Sequence, residues 1–229
     1  MTSSCCWSLT SALAEFGSSG SRACVLTGTS SSFSAGVDLY RILDGGRPYI
    51  ERFLPALDEM LQTLFAVEKP IVAALNGHAI AGGCIIACAC DYRLMSRGTV
   101  RIGVPELLVG VPFPSLALSI VRFATPVQHL QELVYSGAIY LADDALARGL
   151  VDAIVAPDEL LARATEIAVA FAQAPSTAFA LVKRELRAPV LERWRLLREH
   201  DRLVGEAWCA DETHAAIRRY LEQTIGKKR

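Results

Sequence analysis

The sequence predicts an α/β fold whose last third is helical. Three observations carry this: two short apolar runs that each end in a glycine turn, an amphipathic helical stretch between them, and a strand-poor tail after Pro157. The chain has 229 residues, with 23 Lys plus Arg against 24 Asp plus Glu and a formal net charge of −1. That length supports one large domain, or one domain with an appendage, around a full core. Balanced charge gives no electrostatic footprint for nucleic acid or an anionic membrane, so no nucleic-acid or membrane partner is expected. Small molecules and other protein chains remain. Apolar residues make up 52% of the chain, too many for disorder over most of its length.

The first sixteen residues lack a basic leading segment and carry Glu15 where a signal peptide would stay uncharged. Ala23-Cys24-Val25-Leu26-Thr27, ending at Gly28, and Ile71-Val72-Ala73-Ala74-Leu75, ending at Asn76-Gly77, read as buried strands. The hydroxyl-rich run Thr29-Ser30-Ser31-Ser32 between them reads as a surface loop. Phe53, Leu57, Leu61 and Leu64 recur at helical spacing, so residues 49–67 are expected to form a helix bent near Pro55. Residues 71–90 carry no formal charge over a membrane-spanning length, but Asn76-Gly77, His78 and Gly82-Gly83 divide them into a strand, a turn and a buried helix. Tyr92-Arg93-Leu94-Met95 and Val151-Asp152-Ala153-Ile154-Val155 are further strands.

Beyond Pro157, residues 160–173, 176–187, 190–208 and 212–224 read as helices, with breaks at Pro175 and Pro189. A tail this thin cannot own a core and should dock on the body or on a neighbouring subunit. Trp194, Leu197, Leu203 and Trp208, at near-helical spacing, are expected to hide their apolar stripe against another chain. Lys227-Lys228-Arg229 should be a frayed end. The division is therefore a core over 1–160 and a helical region over 161–229. Seven cysteines in no repeating pattern fit a reducing compartment, and the chain is expected to be cytoplasmic.

Two glycine-bearing turns follow the two best strands: Phe33-Ser34-Ala35-Gly36-Val37-Asp38-Leu39 and His78-Ala79-Ile80-Ala81-Gly82-Gly83-Cys84. Gly82-Gly83 opens an uncharged helix whose free N–H groups point forward, and one N–H from each turn can grip a developing oxyanion. Close packing alone also explains such glycines. Together with Ile102-Gly103-Val104-Pro105-Glu106-Leu107-Leu108-Val109-Gly110, the turns resemble the enoyl-CoA hydratase/isomerase (crotonase) superfamily over roughly residues 22–160. The tail matches only in helical character.

That resemblance implies a spiral of ββα units, a trimerising tail giving a homotrimer or a dimer of trimers, and an acyl-CoA thioester substrate. Coenzyme A enters as part of that substrate, with no tightly bound cofactor and no metal. The thioester carbonyl would sit between the N–H groups of Val37 and Gly82, with coenzyme A against Ala35, Leu39 and Gly83, the first two near the adenine. The superfamily's hydratases carry two glutamates, and here the first position is Ile85 while Glu106 matches the second. The pattern is similar to the delta-3, delta-2-enoyl-CoA isomerases, which need one base. Ile102, Val104 and Leu107 should raise the pKa of Glu106.

Other groups carry less. His78, Cys84, Cys88 and Cys90 crowd together without zinc spacing and read as core. Ser34 precedes a glycine, but no G-x-S-x-G surrounds it and no histidine is placed to activate it. Only Met1-Thr2-Ser3-Ser4-Cys5-Cys6-Trp7 precedes a helix over Leu9 to Leu13, so the superfamily's first strand pair is expected to be missing. This leaves room for a non-catalytic acyl-CoA-binding scaffold, or for a hydratase or thioester hydrolase using the same enolate. Pocket depth should depend on a loop over 40–50 and on tail packing.

Overall fold

The computed structural model describes residues 1–225, and the basic end Lys227-Lys228-Arg229 lies outside the described residues. Helix α1 (Ser3–Ser18) starts at Thr2, whose side chain accepts from the Cys5 N–H, and buries Cys6 and Leu13. Then come β1 (Cys24–Thr27), β2 (Ser32–Ser34), α2 (Leu39–Ala66), β3 (Ile71–Leu75), β4 (His78–Ile80) and α3 (Gly82–Ala89). The third sweep is β5 (Tyr92–Ser96), β6 (Ile102–Gly103) and α4 (Glu106–Val109). Helices α5 (Ser115–Ala124) and α6 (Val127–Ser136), strand β7 (Ile139–Tyr140), α7 (Ala142–Ala147) and β8 (Ala153–Val155) complete the body. The tail is α8 (Leu160–Phe171), α9 (Ser176–Leu196), α10 (Arg198–Trp208) and α11 (Asp211–Ile225).

The strands form two sheets, β1-β3-β5-β8 and β2-β4-β6-β7, parallel throughout except for the β6–β7 pair. Each sweep of the chain lays one strand in the first sheet and a shorter one in the second, then crosses by a helix. That is the ββα spiral. All of β3 is buried, and its two-residue period divides the core. Ile71, Ala73 and Leu75 face the main cluster, while Val72 and Ala74 pack with Leu160, Ala164 and Ala168 of α8.

Several expectations change. Ser32 belongs to β2 rather than to a surface loop, because Asn76 stitches the first turn to the second: its side chain donates to the Ser30 carbonyl (2.8 Å) and accepts from the Gly28 N–H (2.9 Å). Residues 40–50 are mostly helix rather than loop, and α2 breaks at Gly46 (φ 51°) instead of at Pro55. A buried stripe including Phe53, Leu57 and Leu61 outweighs the one hydrogen bond lost at Pro55, whereas only glycine adopts the Gly46 conformation readily. Likewise α9 runs through Pro189, and the break falls at Leu197.

Buried anchors on both sides explain the continuity of α9. Lys183 and Arg187 grip Asp91 (2.6 and 2.7 Å), which also accepts from the Ile71 N–H (2.7 Å), and Trp194 is buried beyond the proline. Burial and the neighbouring Arg187 push the Lys183 ammonium down to about 8, with Asp91 opposing. Trp194 and Trp208 sit in the chain's own core, so the tail docks on the body and these two are not an intersubunit stripe. Leu203 remains 55% exposed. Among the described residues no single helix is long and apolar enough to cross a membrane.

Candidate active site

Beyond β2 the chain turns through Ala35 and Gly36 to Asp38, whose carboxylate accepts from the Arg41 N–H (3.1 Å) and caps α2. Gly36 has φ +83°, and a Cβ there would lie 2.8 Å from the Ala81 Cβ and 2.9 Å from the Ile80 carbonyl oxygen. The two glycine turns therefore touch, and any larger residue would part them. Ala81 holds φ 54°, a costly conformation away from glycine. It is fixed from both sides: its N–H donates to the Gly103 carbonyl (2.8 Å) and its carbonyl accepts from Ile85 (3.1 Å). The first N–H groups of α3 have no partner inside the helix and carry the positive end of its dipole. Met1 rests its methyl against Gly82, and its carbonyl accepts from the Asp38 N–H (2.9 Å).

Glu106 arrives from the second sheet, where β6 gives way through Val104-Pro105 to α4. It is only 7% exposed, and its Oε2 is buried without a hydrogen-bond partner among the described residues. Burial pushes its carboxyl up to about 8, against the pull of its own backbone N–H. Ile102 and Val104 are fully buried but do not line the cavity that Glu106 faces, whose apolar wall includes Ile85, Val109 and Phe113, and Leu107 is 46% exposed. On a four-residue helix Leu107 falls on the outer side.

A cavity of about 80 Å³ brings Glu106 together with Val37, Gly82, Ala35, Leu39 and Ile85. Gly83, expected as a coenzyme A contact, does not line it. A Cβ at Gly83 would collide with the Ser34 carbonyl oxygen, so this glycine lets α3 approach β2. Glu106 is the one carboxylate among the described lining residues, and Ile85 presents a hydrocarbon wall. Such a site can remove and return one proton beside a carbonyl held by N–H donors. A sequence profile of the enoyl-CoA hydratase/isomerase family matches residues 1–226.

The chain belongs to the enoyl-CoA hydratase/isomerase family. It is an acyl-CoA enzyme of the crotonase superfamily. A probable enoyl-CoA hydratase of Mycobacterium avium is 34% identical over 202 residues, covering 87% of this chain and 72% of that protein. The crystal structure of a probable enoyl-CoA hydratase from Mycobacterium tuberculosis matches at 30% identity and a TM-score of 0.77, over 83% of this chain and 80% of that one. Human mitochondrial delta3-delta2-enoyl-CoA isomerase shares the fold with a TM-score of 0.95 at 23% identity, over 100% of this chain and 90% of that one. The chain spans between 61% and 77% of the length of curated relatives it matches.

Family motifs do not reveal the tail's share of the cavity. Trp208 of α10 and Tyr220 of α11 both line it. The Trp208 indole N–H donates to the Pro112 carbonyl (2.9 Å), and Asp201 accepts from the Ser115 N–H and hydroxyl (2.8 and 2.6 Å), pinning the loop that follows α4. Both signals were present as polar and aromatic residues on the tail's apolar side, but sequence spacing cannot say which body loop they meet. Cys84, Cys88 and Cys90 are buried core residues, and the Cys84 thiol is pushed up by its hydrogen bond with Cys88 and by burial. His78 is exposed, its Nδ1 accepting from the Arg101 N–H (3.2 Å). Ser34 lies in β2, and no histidine is among the described residues that line the cavity.

Proposed function

We propose that this chain moves the double bond of a 3-enoyl-CoA thioester to the 2-position. One observation carries the reading: a single buried carboxylate, Glu106, shares an apolar cavity with Val37 and Gly82 while Ile85 occupies the place of a second acid. The Glu106 carboxylate takes a proton from C2, and the electron pair moves onto the thioester oxygen as an enolate. The N–H groups of Val37 and Gly82 hold that oxygen. Protonated Glu106 then returns the proton to C4, the double bond forms between C2 and C3, and the thioester carbonyl is restored. An acid with a value near 8 serves both half-reactions near neutral pH. Coenzyme A comes with the substrate, its adenine near Ala35 and Leu39. We place the enzyme in the cytoplasm as a homotrimer or a dimer of trimers.

Hydration of 2-enoyl-CoA is the second reading, favoured by the hydratase names of the sequence relatives. It asks for a positioned water and a second proton-handling group, neither of which Ile85 offers. Glu106→Gln keeps the shape and removes the base. Isomerisation should fall by about 10² to 10⁴, with affinity for a saturated acyl-CoA retained. A variant that isomerises at the original rate would remove Glu106 from the mechanism, and one that binds acyl-CoA although neither the chain nor the variant turns it over would point to a scaffold.

A further inference from the structure

The cavity beside Glu106 is small, and the tail supplies part of its wall. We infer that Phe113, Trp208 and Tyr220 restrict this chain to short acyl groups, an inference that rests on the cavity being the acyl-CoA site. At roughly 10 to 15 Å³ for each water-sized group, a volume of about 80 Å³ takes on the order of five to eight such groups. The thioester carbonyl carbon and oxygen, held between Val37 and Gly82 of the same lining, take two of these, which leaves acyl chains of about four to seven carbons.

The wall is braced rather than merely filled. Trp208 is 2% exposed, donates its indole N–H to the Pro112 carbonyl and packs on Phe53 at 6.4 Å between ring centroids. Phe113 lies in the same loop, whose far side is clamped by Asp201 through Ser115. Leu57 and Ile85 close other sides and are buried in the core. Interiors packed this densely yield poorly to extra methylenes. A chain that outgrows the cavity must break the Trp208 bond or displace Tyr220, the least buried of the three aromatics.

Titration calorimetry with butanoyl-, hexanoyl-, octanoyl- and decanoyl-CoA on the full chain tests this. These saturated thioesters cannot isomerise, so chain-length preference is read apart from catalysis. Each methylene entering free apolar space should tighten binding about fourfold. Affinity is therefore expected to rise about fifteenfold from butanoyl to hexanoyl and then to stop rising. Tyr220→Ala should raise the ratio of octanoyl to hexanoyl affinity about fifteenfold, and Tyr220→Leu gives the same comparison if the alanine variant does not fold. A steady climb to decanoyl in the unmodified chain, equal affinity for all four, or an unchanged ratio in the variants would overturn the inference. Loss of isomerisation with the break at hexanoyl preserved would instead remove the proposed reaction and leave this limit standing.

Discussion

The stability of Glu106→Gln relative to the parent should grow as pH rises. The carboxyl is buried, lacks a partner for Oε2 and has a folded-state value of about 8 against 4.5 when exposed. An acid whose value is raised by folding takes up a proton as the chain folds. Its contribution is therefore intact below 4.5 and is lost as pH rises to about 8. Integrating that difference gives a cost of about 1 kcal/mol at pH 5, about 3 at pH 6.5 and about 4 at pH 8. Glutamine does not ionise, and an unpartnered buried amide costs about 1 to 3 kcal/mol at every pH alike. The stability of the variant minus that of the parent should thus grow by about 3 to 4 kcal/mol between pH 5 and pH 8. Urea unfolding of both proteins at these three pH values, with matching slopes, reads it directly. Growth below about 1 kcal/mol would show that Glu106 is solvated and that burial does not tune it.

The same carboxyl should govern turnover. Below about pH 8 the kcat/KM for isomerisation should rise about tenfold per pH unit and then level off, and a limb centred near pH 5 would contradict this. Gly82→Pro removes the N–H proposed to hold the enolate oxygen, and turnover should fall by about 10² to 10³ in a variant whose circular dichroism is unchanged. Asp91→Ala leaves Lys183 and Arg187, 5% and 4% exposed, without their carboxylate. Thermal or urea unfolding should show a loss of about 3 to 5 kcal/mol, and a loss under 1 would mean that water replaces the carboxylate.

The longer strands of the first sheet were legible because β1 and β3 are apolar runs bounded by turn residues and β5 is apolar at Tyr92, Leu94 and Met95. The second sheet was not. Strands β2, β4, β6 and β7 have two or three residues each, and Ser32, His78 and Gly103 carry no strand signature; their pairing comes from the first sheet's spiral. Prolines misled in one direction, since Pro55 and Pro189 lie inside helices held by buried residues on both sides. At the site, Glu106, Val37 and Gly82 were legible through local motifs, and the structure gathers them with Ala35 and Leu39. Leu107 and Gly83 were misplaced because a motif gives neighbours in sequence, not the direction a side chain takes. Trp208 and Tyr220 lie more than 100 residues from Glu106, and no local spacing links them.

The central claim is that one carboxylate opposite an aliphatic residue moves a double bond and does not add water. Purified protein offered 3-hexenoyl-CoA and 2-hexenoyl-CoA in parallel, with products resolved by chromatography, tests it most directly. The account predicts conversion of the 3-enoyl thioester to the 2-enoyl thioester, little or no 3-hydroxyacyl product, and loss of the conversion in Glu106→Gln. Efficient formation of 3-hydroxyhexanoyl-CoA from the 2-enoyl substrate by the unmodified chain would contradict it.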